Sequence, residues 1–108
     1  MIEGVGKDAP IVANAAGGKQ SHSPYRCDLL DGKVILGLSK VLAHGAARYE
    51  PNNWRKLSRE ENINHCLVHI FSYMAGDTQD DHLSHALCRL MFALATEEDG
   101  NSFPQGVD

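Results

Sequence analysis

The stretch that decides the fold is INHCLVHIFSYMAGDTQDDHLSHALCRLMFALA, residues 63–95. Apolar residues recur in it at intervals of three or four positions, which is the period of one face of an α-helix. The GDTQ segment at residues 76–79 contains a glycine and polar residues and is typical of a short link. We therefore predict two consecutive helices, whose apolar stripes are Ile63, Leu67, Ile70 and Met74 in the first and Leu83, Leu87, Leu90 and Leu94 in the second.

The ends of these two helices have signals of their own. Ser58 is followed three positions later by Glu61, which matches a capping box. We therefore predict the first helix over about residues 59–75, with Gly76 ending it. Asp80 is a residue type that caps helix N-termini, so we expect it to begin the second helix.

A third helix is predicted upstream. It starts at Lys33, and Gly45 indicates its end; its apolar residues are Val34, Leu38, Val41 and Leu42. The segment AARYEPNNWRKL that follows, residues 46–57, contains Pro51 and is predicted to be a connecting loop with some structure of its own. Since no segment shows the alternation of a strand, the predicted fold class is all-α, an antiparallel helical bundle.

The two ends of the chain differ from this middle part. Residues 1–24 are rich in Gly, Ala and Ser without helical or strand periodicity, so we predict a flexible N-terminal segment with GGKQ, residues 17–20, in a loop. Residues 25–98 form the predicted all-α domain. The polar residues 99–108 are predicted to be a disordered tail.

Composition limits the partners and the location of the protein. A chain of 108 residues buries a small fraction of its surface, so we expect a homodimer or homotetramer to complete the core. The net charge of -4 argues against a nucleic-acid partner. Three cysteines, an odd number, fit a reducing cytoplasm. No apolar run is long enough to cross a membrane, so we expect a soluble, cytoplasmic protein.

Each of the two decisive helices also has a row of polar residues. The rows are Glu61, His65 and His69 on the first helix and Asp81, His85 and Arg89 on the second, with His82 beside them. One interpretation is that these rows are solvated faces; the other is that they lie inside a bundle and bind metal ions or a polyphosphate. Because apolar residues such as Val68 and Phe92 flank the rows, the second interpretation is favoured.

Several residues outside the histidine rows are candidates for substrate binding. Four cations can contact phosphate oxygens: Lys19, Arg26, Arg55 and Arg89. Gln20 lies beside the first of them. Trp54 can stack on a base or anchor a core, and the neighbouring Asn53 can read a base edge or cap a turn. The candidates are therefore Lys19, Gln20, Arg26, Asn53, Trp54 and Arg89.

Three blocks of the sequence resemble a known family. They are GGKQSHSPYRCDLLDG at residues 17–32, VLAHGAARYEPNNWRK at residues 41–56, and the decisive stretch itself. Together they are similar to the phage dATP/dGTP diphosphohydrolases over about residues 17–96. The resemblance implies an all-α fold related to the MazG-like pyrophosphohydrolases, a requirement for Mg or Mn, and purine deoxynucleoside triphosphates as substrates.

The metal-binding pattern departs from that of the wider MazG-like group, which uses ExxE on one helix and ExxD on the next. Here the second motif falls on His82 and His85, and the first falls near His65 and His69. Imidazole suits Mn, Co, Ni or Zn better than Mg. The resemblance therefore implies a divalent-metal site in which imidazoles have largely replaced carboxylates.

These observations combine into one hypothesis and one alternative. Divalent ions would be held by His65, His69, Asp77, Asp80, Asp81, His82 and His85. Glu61 and Asp81 are the candidate catalytic residues, the former as an auxiliary base. The reaction would release pyrophosphate and a monophosphate from dATP or dGTP in phage nucleotide metabolism. The alternative is a histidine-rich helical bundle that binds a transition metal or a regulatory nucleotide without turnover.

Overall fold

The computed structural model describes residues 2–98 of the chain, with side chains described as far as residue 96. The chain divides into two compact units, Met1–Asp31 and Gly32–Asp108. The predicted boundary of the all-α domain, between residues 24 and 25, stays a prediction. The predicted disordered tail at residues 99–108 lies outside the described residues.

The N-terminal unit contains a small antiparallel hairpin of strands β1 (Ile11–Ala13) and β2 (Lys19–Ser21). The turn between them is organised by Asn14, whose side-chain oxygen accepts hydrogen bonds from the backbone N–H groups of Ala16 and Gly18 at 3.0 and 2.9 Å. The expectation that GGKQ lies in a loop is therefore wrong for its last two residues, which are in β2. Strands of three residues are too short to produce a readable alternation, so the sequence pattern missed them.

The described part of the second unit, residues 32–98, contains three α-helices and a 3-10 turn. Helix α1 is Gly32–Arg48, the 3-10 turn is Asn53–Lys56, α2 is Arg59–Met74, and α3 is His82–Glu98. The all-α character that the sequence predicts is thus present, with the two short strands as an addition.

Helix α1 does not end at Gly45, where the sequence predicts its end, but continues to Arg48. A glycine inside a helix is tolerated at a cost of about 1 kcal/mol, whereas a proline removes a hydrogen bond and clashes with the preceding turn. Pro51 is therefore the stronger stop signal, and Asn52 after it adopts a left-handed conformation with φ of 64°.

The predicted start of α2 is confirmed. The Ser58 side chain accepts from the backbone N–H of Glu61 at 3.1 Å, and the Glu61 carboxylate accepts from the backbone N–H of Ser58 at 3.0 Å. The helix ends before Gly76, whose φ of 90° suits a glycine after a helix.

The residue that caps the start of α3 is Asp81, whereas the sequence predicts Asp80. The Asp81 carboxylate accepts a hydrogen bond from the backbone N–H of Ser84 at 3.3 Å, three positions later. Two adjacent aspartates are equivalent by residue type, so the sequence alone could not separate them. The Asp80 carboxylate instead accepts a hydrogen bond from the backbone N–H of Asp81 at 2.9 Å.

Helix α3 packs against both α1 and α2. Among the described residues, the buried apolar side chains are Cys66, Ala86, Cys88, Phe92 and Ala93. The leucine stripe of α3, in contrast, remains 39 to 58% exposed. Because each of the three helices is covered by its neighbours on one side only, the buried core is small. The predicted apolar stripes lie largely outside this core.

Within residues 2–98, the structure holds no helix with the length and hydropathy of a membrane span.

Candidate metal centre

Three of the predicted metal ligands lie together where α2, its link to α3 and the start of α3 meet. They are His69 near the end of α2, Asp80 in the link and His85 in α3. One ligand atom of each lies within 4.8 Å of the other two. Two ligands on opposite sides of one ion are separated by about 4.2 Å, so a small closure brings all three onto a single cation.

The local fold explains why these side chains converge. Gly76 ends α2 and the short link reverses the chain, so the last turns of α2 lie against the first turns of α3. The imidazole rings of His69 and His85 face one another with centroids 5.0 Å apart and an interplanar angle of 21°. His85 Nε2 lies 3.3 Å from Asp80 Oδ1, so a cation would replace a proton between these two atoms.

Two further residues, His82 and Asp77, are connected to His69 by hydrogen bonds. His82 Nδ1 is 3.0 Å from His69 Nδ1, and His82 Nε2 is 2.5 Å from Asp77 Oδ2. The His82 side chain is 10% exposed, whereas that of Asp77 is 42% exposed. Asp77, His82 and His69 therefore form a hydrogen-bonded series that leads from the surface to the three-residue group.

The charge states of the cluster suit a divalent cation. Burial lowers the pKa of His69 below its ordinary value of 6.5, and the neighbouring His85 and His82 lower it further, so the ring is neutral at neutral pH. The hydrogen bond from His82 lowers the pKa of the Asp77 carboxyl. An imidazole must be neutral to bind a metal ion, and His69 meets that requirement.

The structure does not bring the other predicted members of the polar rows into this group. His65 is exposed on α2, one turn before His69. The Asp81 carboxylate caps α3, and the hydrogen bond from Ser84 lowers its pKa. The Glu61 carboxylate is engaged in the capping box of α2, eight residues and about 12 Å along the helix axis from His69.

Arg89, a predicted phosphate ligand, connects α3 to α2. Its guanidinium donates to the side-chain oxygen of Asn62 at 3.1 Å. Asn62 is fully buried, and its side-chain amide donates to the backbone oxygen of Ser58 at 3.2 Å. Arg89 therefore satisfies a buried polar side chain one turn beyond His85.

Trp54 and Asn53, the predicted base-binding residues, lie in the 3-10 turn. The indole of Trp54 stacks on Phe92 of α3 with ring centroids 4.5 Å apart and nearly parallel planes. The Arg55 guanidinium also lies against this indole, 4.4 Å from the ring centroid. The backbone N–H of Asn53 donates to Glu50 at 3.2 Å. In this arrangement Trp54 is an anchor of the turn on α3.

The remaining predicted substrate ligands belong to the N-terminal unit. Lys19 and Gln20 lie in β2, opposite Ala13 and Val12. Arg26 forms a two-point contact with Asp28, with N–O distances of 2.9 and 2.8 Å. The roles of these residues in phosphate binding stay predictions.

One feature of the helical unit contains a single predicted site residue, Asp81. A groove of about 370 Å³ runs between α1 and the first turns of α3, with Lys33 as its only cation among the described residues that line it. The full lining is Lys33, Val34, Gly37, Asp81, Leu83, Ser84 and Leu87. A lysine at the start of an amphipathic helix is too ordinary to mark such a groove in the sequence.

Comparison with known proteins gives one finding. A family model described as dATP/dGTP diphosphohydrolase, N-terminal, matches residues 14–105, most of the chain and all of the residues that build the three-residue group. Neither curated proteins nor solved structures yield a significant match.

Proposed function

The chain belongs to the dATP/dGTP diphosphohydrolase family, N-terminal, and from this premise we propose that it hydrolyses purine deoxynucleoside triphosphates with the help of a divalent metal. The observation that carries the proposal is the convergence of His69, Asp80 and His85. Water would add to the α-phosphorus while the bond from this phosphorus to the oxygen shared with the β-phosphate breaks. The products would be the monophosphate and pyrophosphate.

A bound divalent cation would neutralise phosphate charge and lower the pKa of the attacking water. The residues of the chain would hold and orient the reactants. His69, Asp80 and His85 would supply the cation ligands, and Asp81 stays a candidate catalytic residue, although its carboxylate caps α3. Glu61 stays a candidate auxiliary base, although its carboxylate is already engaged in the cap of α2.

The donor set bears on the identity of the metal. Two imidazoles and one carboxylate favour Mn, Co, Ni or Zn over Mg, which prefers oxygen ligands. We therefore propose Mn as the physiological cation to test first, with Mg as a weaker activator.

We also propose that a second copy of the chain covers the leucine stripe of α3. The stripe is uncharged and its spacing of four, three and four residues is that of a coiled-coil seam; it consists of Leu83, Leu87, Leu90 and Leu94. A two-fold axis would bring the same stripe of both copies together and complete the small core.

The setting of the reaction follows the resemblance to phage enzymes. We propose that the protein acts in phage nucleotide metabolism in the cytoplasm of a host cell. The support is the chemistry of Cys27, Cys66 and Cys88, which are all free thiols and suit a reducing compartment.

The first prediction tests the activity. Protein purified free of metal and then supplied with Mn or Mg is expected to release pyrophosphate and monophosphate from dATP or dGTP, measured by chromatography of the products. Release of triphosphate or of single phosphates would contradict the proposed reaction.

Two variants make this test specific for the site. His85→Ala is expected to lower kcat by at least about 100-fold, because it removes one of three ligands. The matched control is His44→Ala on the exposed surface of α1, outside every candidate site, which is expected to keep most of the activity. If the wild-type protein binds Mn but releases no product, the non-catalytic metal-binding alternative replaces the proposal.

A further inference from the structure

The series Asp77, His82 and His69 assigns a role to two residues that the sequence groups with the metal ligands. We propose that His82 and Asp77 are positioning residues, which hold His69 in the tautomer with a proton on Nδ1 and a free electron pair on Nε2. The inference rests on the proposed metal centre and deepens it, because it states which atoms can bind the cation.

The first step concerns the contact of His82 with Asp77. An ionised carboxylate only accepts hydrogen bonds. Because His82 Nε2 lies 2.5 Å from Asp77 Oδ2, the proton between them belongs to Nε2. The carboxyl group of Asp77 has a lowered pKa, so it is ionised at neutral pH.

The second step concerns the two histidines. When His82 carries a single proton and that proton is on Nε2, its Nδ1 is bare and accepts. The Nδ1 atoms of His69 and His82 are 3.0 Å apart, so His69 must donate its Nδ1–H across this contact. His69 then has its electron pair on Nε2, where a cation can bind it.

The third step concerns the ligand count. Both ring nitrogens of His82 are used in hydrogen bonds, so a bond from His82 to a metal would break one of them. The ligand set is therefore His69, Asp80 and His85, without His82 or Asp77. Three protein ligands leave coordination positions open for water and phosphate oxygens, as in catalytic sites, whereas structural sites use four.

The direct test is the tautomer of His69 in the metal-free full chain. In the ¹⁵N-labelled protein at a pH near 8, long-range proton–nitrogen spectra of the imidazoles are expected to show a protonated Nδ1 and a bare Nε2 for His69. His82 is expected to show the opposite tautomer. In the Asp77→Asn variant, His69 is expected to become a mixture of both tautomers. A wild-type His69 protonated on Nε2 would overturn the inference.

Cobalt titration separates a positioning residue from a ligand. Replacing a group that orients a ligand typically weakens metal binding about 10- to 100-fold. Asp77→Asn and His82→Gln are therefore expected to weaken Co²⁺ binding by this factor while the visible absorption bands of the bound Co²⁺ keep their positions. His85→Gln is expected to shift the bands, because it changes the ligand set. The matched control is His44→Gln on the exposed surface of α1, which is expected to change neither.

The outcomes distinguish this inference from the proposed function. If His82→Gln shifts the bands as His85→Gln does, His82 is a ligand and the inference is wrong. The tautomers are measured without metal and the titration is done with Co²⁺, and neither measurement contains nucleotide. The predicted tautomers together with a lack of pyrophosphate release would therefore refute the proposed function alone.

Discussion

Two of the three cysteines are held in surroundings where the thiol cannot easily ionise. Burial raises the pKa of both Cys66 and Cys88 above the ordinary value of 9.0, and the nearby Arg89 opposes this only in part for Cys88. Cys27, in contrast, is exposed in the N-terminal unit. Because the thiolate is the nucleophile, the three residues differ in reactivity.

We therefore predict that iodoacetamide modifies Cys27 first in the folded chain and reaches Cys66 and Cys88 only in denaturant. Peptide mass spectrometry measures the order, and Cys27→Ser should remove the fast phase. The same shifts predict that the free energy of unfolding falls as the pH rises above 9.0, where the unfolded thiols ionise and the folded ones do not. Equal modification rates for all three thiols would contradict the burial.

The sequence-based list of candidate metal ligands is longer than the group of side chains that the structure brings together. His69, Asp80 and His85 are all among the predicted ligands, because histidines at helical spacing and an aspartate between two predicted helices are a readable pattern. His65 was included since it precedes His69 by one turn. Residues four apart on a helix differ by about 40° in direction, and this angle is enough to point one ring at α3 and the other at solvent.

At the level of single elements, the start of α2 depends on a local motif. The capping box between Ser58 and Glu61 satisfies backbone N–H groups that the helix itself cannot pair. Such a motif involves residues three apart and needs no tertiary contact. For this reason the sequence predicted the start of α2 correctly, whereas the end of α1 depended on which of two competing stop signals is stronger.

We predict that Ser58→Ala lowers the free energy of unfolding by about 1 kcal/mol, because the cap is lost. Urea denaturation followed by circular dichroism measures the change. Ser39→Ala is the matched control, since the Ser39 hydroxyl donates to the backbone of Ile35 within α1 and caps no helix end. Glu61→Gln should keep the stability, because glutamine also serves in this motif. A Ser58→Ala variant as stable as the wild type would show that the box does not stabilise α2.

For the whole molecule, the question is what covers the apolar side of α3. Leu83, Leu87, Leu90 and Leu94 were predicted as the stripe of an amphipathic helix, and the stripe exists, but its side chains remain 39 to 58% exposed, with Leu83 and Leu87 lining the groove beside α1. The periodicity of a sequence shows that a face is apolar and does not show whether the same chain or another one covers it.

We predict that Leu90→Lys converts a dimer or tetramer into a monomer, because a lysine in the middle of the seam would have to be buried without a partner. Sedimentation velocity measures the oligomeric state, and circular dichroism checks that the helices persist. Leu36→Lys on α1 is the matched control, since Leu36 is 72% exposed and lies outside the stripe. Identical sedimentation of wild type and Leu90→Lys would contradict a seam at this stripe, and Leu94→Lys repeats the test if the first variant unfolds.

The stack of Trp54 on Phe92 gives the chain an optical label. Trp54 is the single tryptophan of the sequence, so the indole emission comes from one place. Its ring centroid lies 4.4 Å from the guanidinium of Arg55 and 4.5 Å from the ring centroid of Phe92. These two groups keep water away from part of the indole surface, which should move its emission to shorter wavelengths. Because Trp54 belongs to the 3-10 turn and Phe92 to α3, a red shift with unchanged helical ellipticity would report that this turn alone has left the helix.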